Sequence, residues 1–281
     1  MRTEEEITTL VLQVALANEH IRAVLLTGSR ANANIKRDSL QDFDIIYIVT
    51  QIDTFISDHG WIDVFGERLI MQLPDEMLMG KKDPHVFHYL MLFTDGNRID
   101  LTLYPLNRLV YLLQEESLLK VLLDKENSIQ LPPSREKKYL IKPPAEKGFK
   151  DCCNEFWWVS TYVAKGLWRK EVVYAKDMLE GPVRAMFFQM LEWTVGVRTS
   201  FTVSFGKSGR NLQQHLSSRF YDKILATYPD GNIENIWKAL FLMAELFDEI
   251  ANEVANAMQF FYYAEEANNV KSYLKSIHVM P

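Results

Sequence analysis

Cysteine is scarce in this 281-residue chain: there are 2, and they are adjacent, Cys152-Cys153. Neighbours on a helix point about 100° apart, so the pair suits neither a structural disulfide nor a zinc site and reads as two reduced, half-buried thiols. Long hydrophobic runs are missing as well. No uninterrupted apolar stretch reaches the roughly 18 to 20 residues of a membrane span, and the acidic start MRTEEE does not resemble a signal peptide. The expected address is therefore the cytoplasm. Positive charge is in deficit, with 31 Lys and Arg against 37 Asp and Glu and a formal net charge of -6. A stable nucleic-acid partner would usually show a basic stripe, so a cationic small molecule suits the chain better. Also absent are a GxxxxGK phosphate loop, a His-Glu-x-x-His zinc helix, internal repeats and heptads.

What is present is ordinary globular material, 48% hydrophobic and 24% charged, long enough for one large domain or two of usual size. Thr3 and Glu6 have capping-box spacing, and Ile7, Leu10, Val11 and Val14 follow at helical intervals, predicting an amphipathic helix that ends near Asn18. Residues 21–27 read as a strand that ends in Gly28-Ser29-Arg30. A polar loop over 32–41 leads to Asp42-Phe43-Asp44 at the head of a second strand, 43–49. Side chains two apart on a strand share a face, so Asp42 and Asp44 point the same way. A short helix over 52–59 and an edge strand over 67–73 are expected next. Thr94-Asp95-Gly96-Asn97 between two apolar runs then marks a hairpin. Its second arm puts Arg98, Asp100 and Thr102 on one face and Ile99, Leu101 and Leu103 on the other, so Asp100 sets a charge in a hydrophobic strand.

Apolar residues over 106–123 recur at helical spacing, and a Pro-punctuated stretch follows over 124–144. Helices are expected at about 149–170, 174–200, 207–227, 233–257 and 259–276. The reading is an α+β protein with a mixed-sheet domain over 1–130, a linker over 131–148 and a helix bundle over 149–281.

Carboxylates that converge repel one another, and a divalent cation is the common remedy. Magnesium prefers hard oxygen ligands and bridges carboxylates to substrate phosphates, so Asp42, Asp44 and Asp100 beside a nucleoside triphosphate form a coherent set. The backbone N–H groups of Gly28 and Ser29, the Ser29 hydroxyl and the Arg30 guanidinium are candidates for the phosphates.

This order, Gly28-Ser29, then Asp42-Phe43-Asp44, then Asp100 on a later strand, resembles the nucleotidyltransferase superfamily that includes DNA polymerase beta. More narrowly, LLTGSRAN, QDFDIIYIV, FTDGNRIDLTL and NEFWWVSTYVAKGLWRKE are similar to blocks of the aminoglycoside 6-adenylyltransferases, the bacterial streptomycin-modifying enzymes. These blocks span residues 25–171, and the helical remainder also fits. The resemblance implies that the mixed sheet is a nucleotidyltransferase domain and that AMP passes from ATP to an aminoglycoside hydroxyl, with release of pyrophosphate. For the family's substrate that hydroxyl is at position 6 of streptomycin's streptidine ring. The resemblance further implies Mg2+ on Asp42 and Asp44, and Asp100 as ligand, general base or both. Gly28, Ser29 and Arg30 would hold the triphosphate, joined by Lys207 and Arg210 of FGKSGR.

Streptomycin carries two guanidinium groups, which acidic and aromatic side chains recognise. Glu155 and Trp158 fall near one helical face and Asp177 lies on the next helix, so all three are candidates; core packing of Trp158 and plain surface charge at Glu155 and Asp177 are the alternatives. Other acceptors (another small hydroxyl compound, a protein or an RNA end) and a noncatalytic nucleotide-binding relative remain as competing functions. A monomer is expected, because two domains suffice to build a site.

Overall fold

The computed structural model describes residues 1–32, 36–79, 83–131 and 139–281. The chain divides into two compact units, Met1–Lys138 and Tyr139–Pro281.

In the first unit Thr3 caps α1 (Glu4–Ala17). Its hydroxyl accepts from the Glu6 N–H at 3.2 Å while the Glu6 carboxylate accepts from the Thr3 N–H at 2.7 Å, the reciprocal box that the Thr-x-x-Glu spacing predicts. β1 (Ile21–Leu26), the single turn α2 (Gly28–Ala31), β2 (Phe43–Val49) and α3 (Asp53–Ile56) follow, then β3 (Arg68–Gln72), β4 (Phe87–Phe93) and β5 (Arg98–Pro105). Next come α4 (Leu109–Glu115) and β6 (Lys120–Asp124). The sheet order is β3-β4-β5-β2-β1-β6, with β2 and β5 parallel and the other pairs antiparallel.

The alternation read from the strands holds. Phe43, Ile45, Tyr47 and Val49 join Ile99, Leu101 and Leu103 in a core covered by Ile7, Val11 and Ala15 of α1, while Ile46 and Ile48 face a smaller core with Leu25 and Leu112. Each such aliphatic side chain contributes about 1.5–3 kcal/mol by burial. The Tyr47 hydroxyl donates to the Val11 carbonyl at 2.7 Å, so this buried polar atom is satisfied.

One expectation is corrected here. The apolar stretch 106–123 does not continue as helix: α4 stops at Glu115, Glu116 is extended, and residues 120–124 form a sixth strand. Val121, Leu122 and Leu123 supply a short strand-forming run, and β1 would otherwise present an unpaired edge; its residues Ala23 to Leu26 pair with Asp124 to Lys120.

The second unit contains α5 (Glu146–Trp168), α6 (Val172–Met178), a π turn (Leu179–Val183), α7 (Arg184–Arg198), α8 (Ser218–Leu225), α9 (Ile233–Met258) and α10 (Ala264–His278). Its core includes Phe156 stacked on Phe247, with ring centroids 3.7 Å apart and planes at 3°. Ile141 is buried in that core and its N–H donates to the Val203 carbonyl at 3.0 Å, so the segment just before α5 packs as part of this unit. Residues 132–138 of the expected linker lie outside the described residues.

The helix expected at 174–200 runs as α6 and α7 joined through the π turn, which accommodates Pro182, a residue without the N–H that a regular α-helix uses. The helix expected at 207–227 is confined to α8. Gly206, Ser208 and Gly209 all take positive φ, at 74°, 54° and 75°, which breaks helical geometry ahead of it. Gln259 ends α9 in the left-handed region, so the last helix begins at Ala264 rather than at 259. Among the described residues no helix is long and apolar enough to cross a membrane.

Candidate active site

The Thr27 N–H donates to the Asp44 carbonyl at 3.0 Å, tying the end of β1 to the head of β2. Gly28 follows with φ +66°, and a Cβ built there would overlap the Asp44 carboxylate. Only glycine satisfies both conditions. Ser29 is half-buried on the same turn.

The Arg30 guanidinium, expected to reach a phosphate, is turned inward. Nε donates to the Asp42 carbonyl at 3.1 Å, Nη2 to the Gln41 carbonyl at 2.8 Å and Nη1 to the Glu4 carboxylate at 2.8 Å. Its carbon lies 3.8 Å from the Phe43 ring centroid. Arg30 therefore ties α1 and the β1 corner to the backbone that enters β2.

β2 and β5 are in parallel register with Asp44 opposite Asp100. A parallel ladder places equivalent residues side by side, so two carboxylates stand together on one strand face. Burial, followed by the charges of Asp100 and Asp42, pushes Asp44 from 3.8 up to about 6. Arg98, two residues before Asp100 on the same face, grips it bidentately, with Nε to Oδ1 and Nη2 to Oδ2 both at 2.7 Å. Nε is also 3.8 Å from an Asp42 oxygen. The bond to Asp100 leads the causes that raise the Arg98 pKa, so this residue stays cationic. Sequence reasoning put Arg98 on this face without giving it a role; the two-residue spacing to Asp100 was the available signal.

Among the described residues no three His, Cys, Asp or Glu side chains stand as a metal-holding group, and both Asp100 oxygens are turned to Arg98. The donor chemistry nevertheless fits a hard divalent cation: all three acids present oxygen, and the burial and neighbouring carboxylates that raise the Asp44 pKa disfavour its charge in a way that such an ion would relieve.

The remaining candidates lie in the second unit and do not form one group there. Trp158 is 60% exposed, which puts its ring outside the core, and its Nε1 donates to the Tyr162 hydroxyl at 2.6 Å. It lines a cleft of ≈ 530 Å³ with Tyr162, Lys165 and Tyr273. Glu155, one turn earlier on α5, lines a separate cleft of ≈ 560 Å³ with Met186, Gln189 and Trp193 of α7. Asp177 is exposed on α6, and Lys207 and Arg210 are exposed on the loop before α8.

A family model described as streptomycin adenylyltransferase matches residues 1–277. The chain belongs to this family. It is 40% identical over 272 residues to an aminoglycoside 6-adenylyltransferase of Campylobacter jejuni, covering 96% of this chain and 94% of the relative. It is 37% identical over 281 residues to the enzyme of the same name in Bacillus subtilis, covering 99% of each. The crystal structure of an aminoglycoside 6-adenyltransferase from Bacillus subtilis matches with a TM-score of 0.50 and 33% identity, covering 100% of both chains. Family membership and the α+β architecture together make this protein a nucleotidyltransferase.

Proposed function

We propose that the protein transfers AMP from ATP to the 6-hydroxyl of streptomycin or a related aminoglycoside and releases pyrophosphate. The observation that carries the reading is the corner itself, with Gly28 closed against Asp44 and Asp44 in register with Asp100. The aminoglycoside relatives, matched over nearly their whole length, support the acceptor class.

In this reading Asp42, Asp44 and Asp100 hold Mg2+, which when bound neutralises the triphosphate and makes a nearby hydroxyl more acidic. Asp100 accepts the proton of the attacking hydroxyl. The Ser29 hydroxyl and the Gly28 and Ser29 backbone N–H groups donate to phosphate oxygens, and Arg30 fixes the turn that presents them. In-line displacement at the α-phosphorus then needs positioning more than covalent help from the protein.

Incubation with α-labelled ATP, Mg2+ and streptomycin should yield a labelled AMP–streptomycin adduct. Labelling of a different acceptor, with streptomycin untouched, would overturn the substrate assignment. Asp100→Ala should abolish the adduct with little change in helical or sheet signal; near-normal turnover would remove Asp100 from the chemistry.

A further inference from the structure

We infer that Arg98 is a positioning residue: a built-in counter-ion that orients Asp100 and sets how much negative charge the corner offers a divalent cation. The inference rests on reading the three acids as a metal site. Arg98 and Asp100 share a strand face at two-residue spacing and meet through two bonds of 2.7 Å. A bidentate fork fixes the plane of the carboxylate as well as its place. It uses one lone pair on each oxygen and leaves the others free to accept. The same guanidinium lies 3.8 Å from Asp42 and acts electrostatically on Asp44. With every group ionised, three carboxylates and one guanidinium leave a net charge of about -2, which one divalent cation neutralises.

Two consequences separate this role from simple packing. Removing the guanidinium takes away the positive charge bonded to Asp100 and nearest to Asp42, so the metal-free protein loses stability while its attraction for a divalent cation grows. Asp100 at the same time loses its orientation, so turnover falls. A residue that merely holds the fold would weaken metal binding and turnover together when removed.

The experiment compares the intact chain with Arg98→Ala, Arg98→Lys, Asp100→Asn and the Arg98→Ala/Asp100→Asn double variant. Mn2+ affinity is measured by calorimetry, and melting temperature with and without Mg2+. Arg98→Ala should melt several degrees lower without metal, recover more of its melting temperature on adding Mg2+ than the parent does, and bind Mn2+ about tenfold more tightly. Its kcat should fall by about tenfold or more at little-changed KM for the acceptor. Arg98→Lys keeps the charge without the fork, so it should retain parent-like Mn2+ affinity but not full kcat. In the Asp100→Asn background, Arg98→Ala should cost markedly less melting temperature than it does alone. Equal cost in both backgrounds, or weaker Mn2+ binding in Arg98→Ala, overturns the inference. If Arg98→Ala fails to fold, Arg98→Lys decides: unchanged kcat overturns the inference. The metal and melting readouts need no acceptor, so a missing streptomycin adduct would count against the proposed reaction and leave this inference standing.

Discussion

Asp44 bears its charge against two neighbouring carboxylates in a half-buried place, which gives a pH dependence with a definite sign. Its folded value, about 6, lies above the 3.8 of an open chain. The folded state therefore binds this proton more tightly, and the contribution of Asp44 to metal-free stability is greatest below about pH 4, declines as pH rises through about 6, and is level above. A shift of that size corresponds to at most about 3 kcal/mol, and solvent screening at this partly open site brings it to about 1–2 kcal/mol. Asp44→Asn should thus raise the metal-free melting temperature at pH 8 and leave it nearly unchanged at pH 4, while suppressing AMP transfer. A lower melting temperature at pH 8 would show that the charge is compensated where it stands. In the proposed reaction protons and Mg2+ compete for Asp44, so the Mg2+ concentration for half-maximal activity should rise as pH drops below about 6. Residue identity at this corner was legible in the sequence. The inward turn of Arg30 was not, because two of its three partners are the carbonyls of Gln41 and Asp42, which leave no compositional trace, and the third, Glu4, lies 26 residues away.

At the scale of elements, periodicity carried most of the information. The capping box, the faces of β2 and β5 and the Asp-Gly hairpin were all readable, since each repeats a local rule within a few residues. What escaped depended on partners far along the chain. β6 is a strand because β1 needs an edge partner, and 207–217 is a loop because Ser208 takes a positive φ together with two glycines. The π turn before α7 has an anchor that sequence alone did not suggest. Arg184 is buried, donates to the Thr227 carbonyl at 2.7 Å and hydroxyl at 2.9 Å, pairs with Glu180, and stacks 3.6 Å from the Tyr228 ring centroid. Arg184→Ala should cost about 2–4 kcal/mol, because it strands polar groups in the bundle and opens a cavity. Urea denaturation checks this, and a cost below about 0.5 kcal/mol would mean that water replaces the guanidinium without loss.

At the scale of the whole molecule, the two units have separate cores. Among the described residues the bundle core draws on residues from Ile141 to Ile277, and the two sheet cores on residues from Ile7 to Ile129. A fragment comprising 139–281 should therefore be helical by circular dichroism and melt cooperatively without the sheet unit. A featureless melt would show that its core is completed elsewhere. The inclusion of Ile141 in the bundle was not legible, since one apolar residue among prolines carries no pattern.

The closure of Gly28 over Asp44 has a genetic consequence. Every single-base missense change in a glycine codon adds at least a Cβ, and at this position any Cβ meets both the Asp44 carboxylate and an unfavourable backbone angle. In a saturation library selected for survival on the acceptor drug, position 28 should retain glycine alone, whereas Ser29, half-buried and without a positive-φ requirement, should still admit threonine or alanine at reduced fitness.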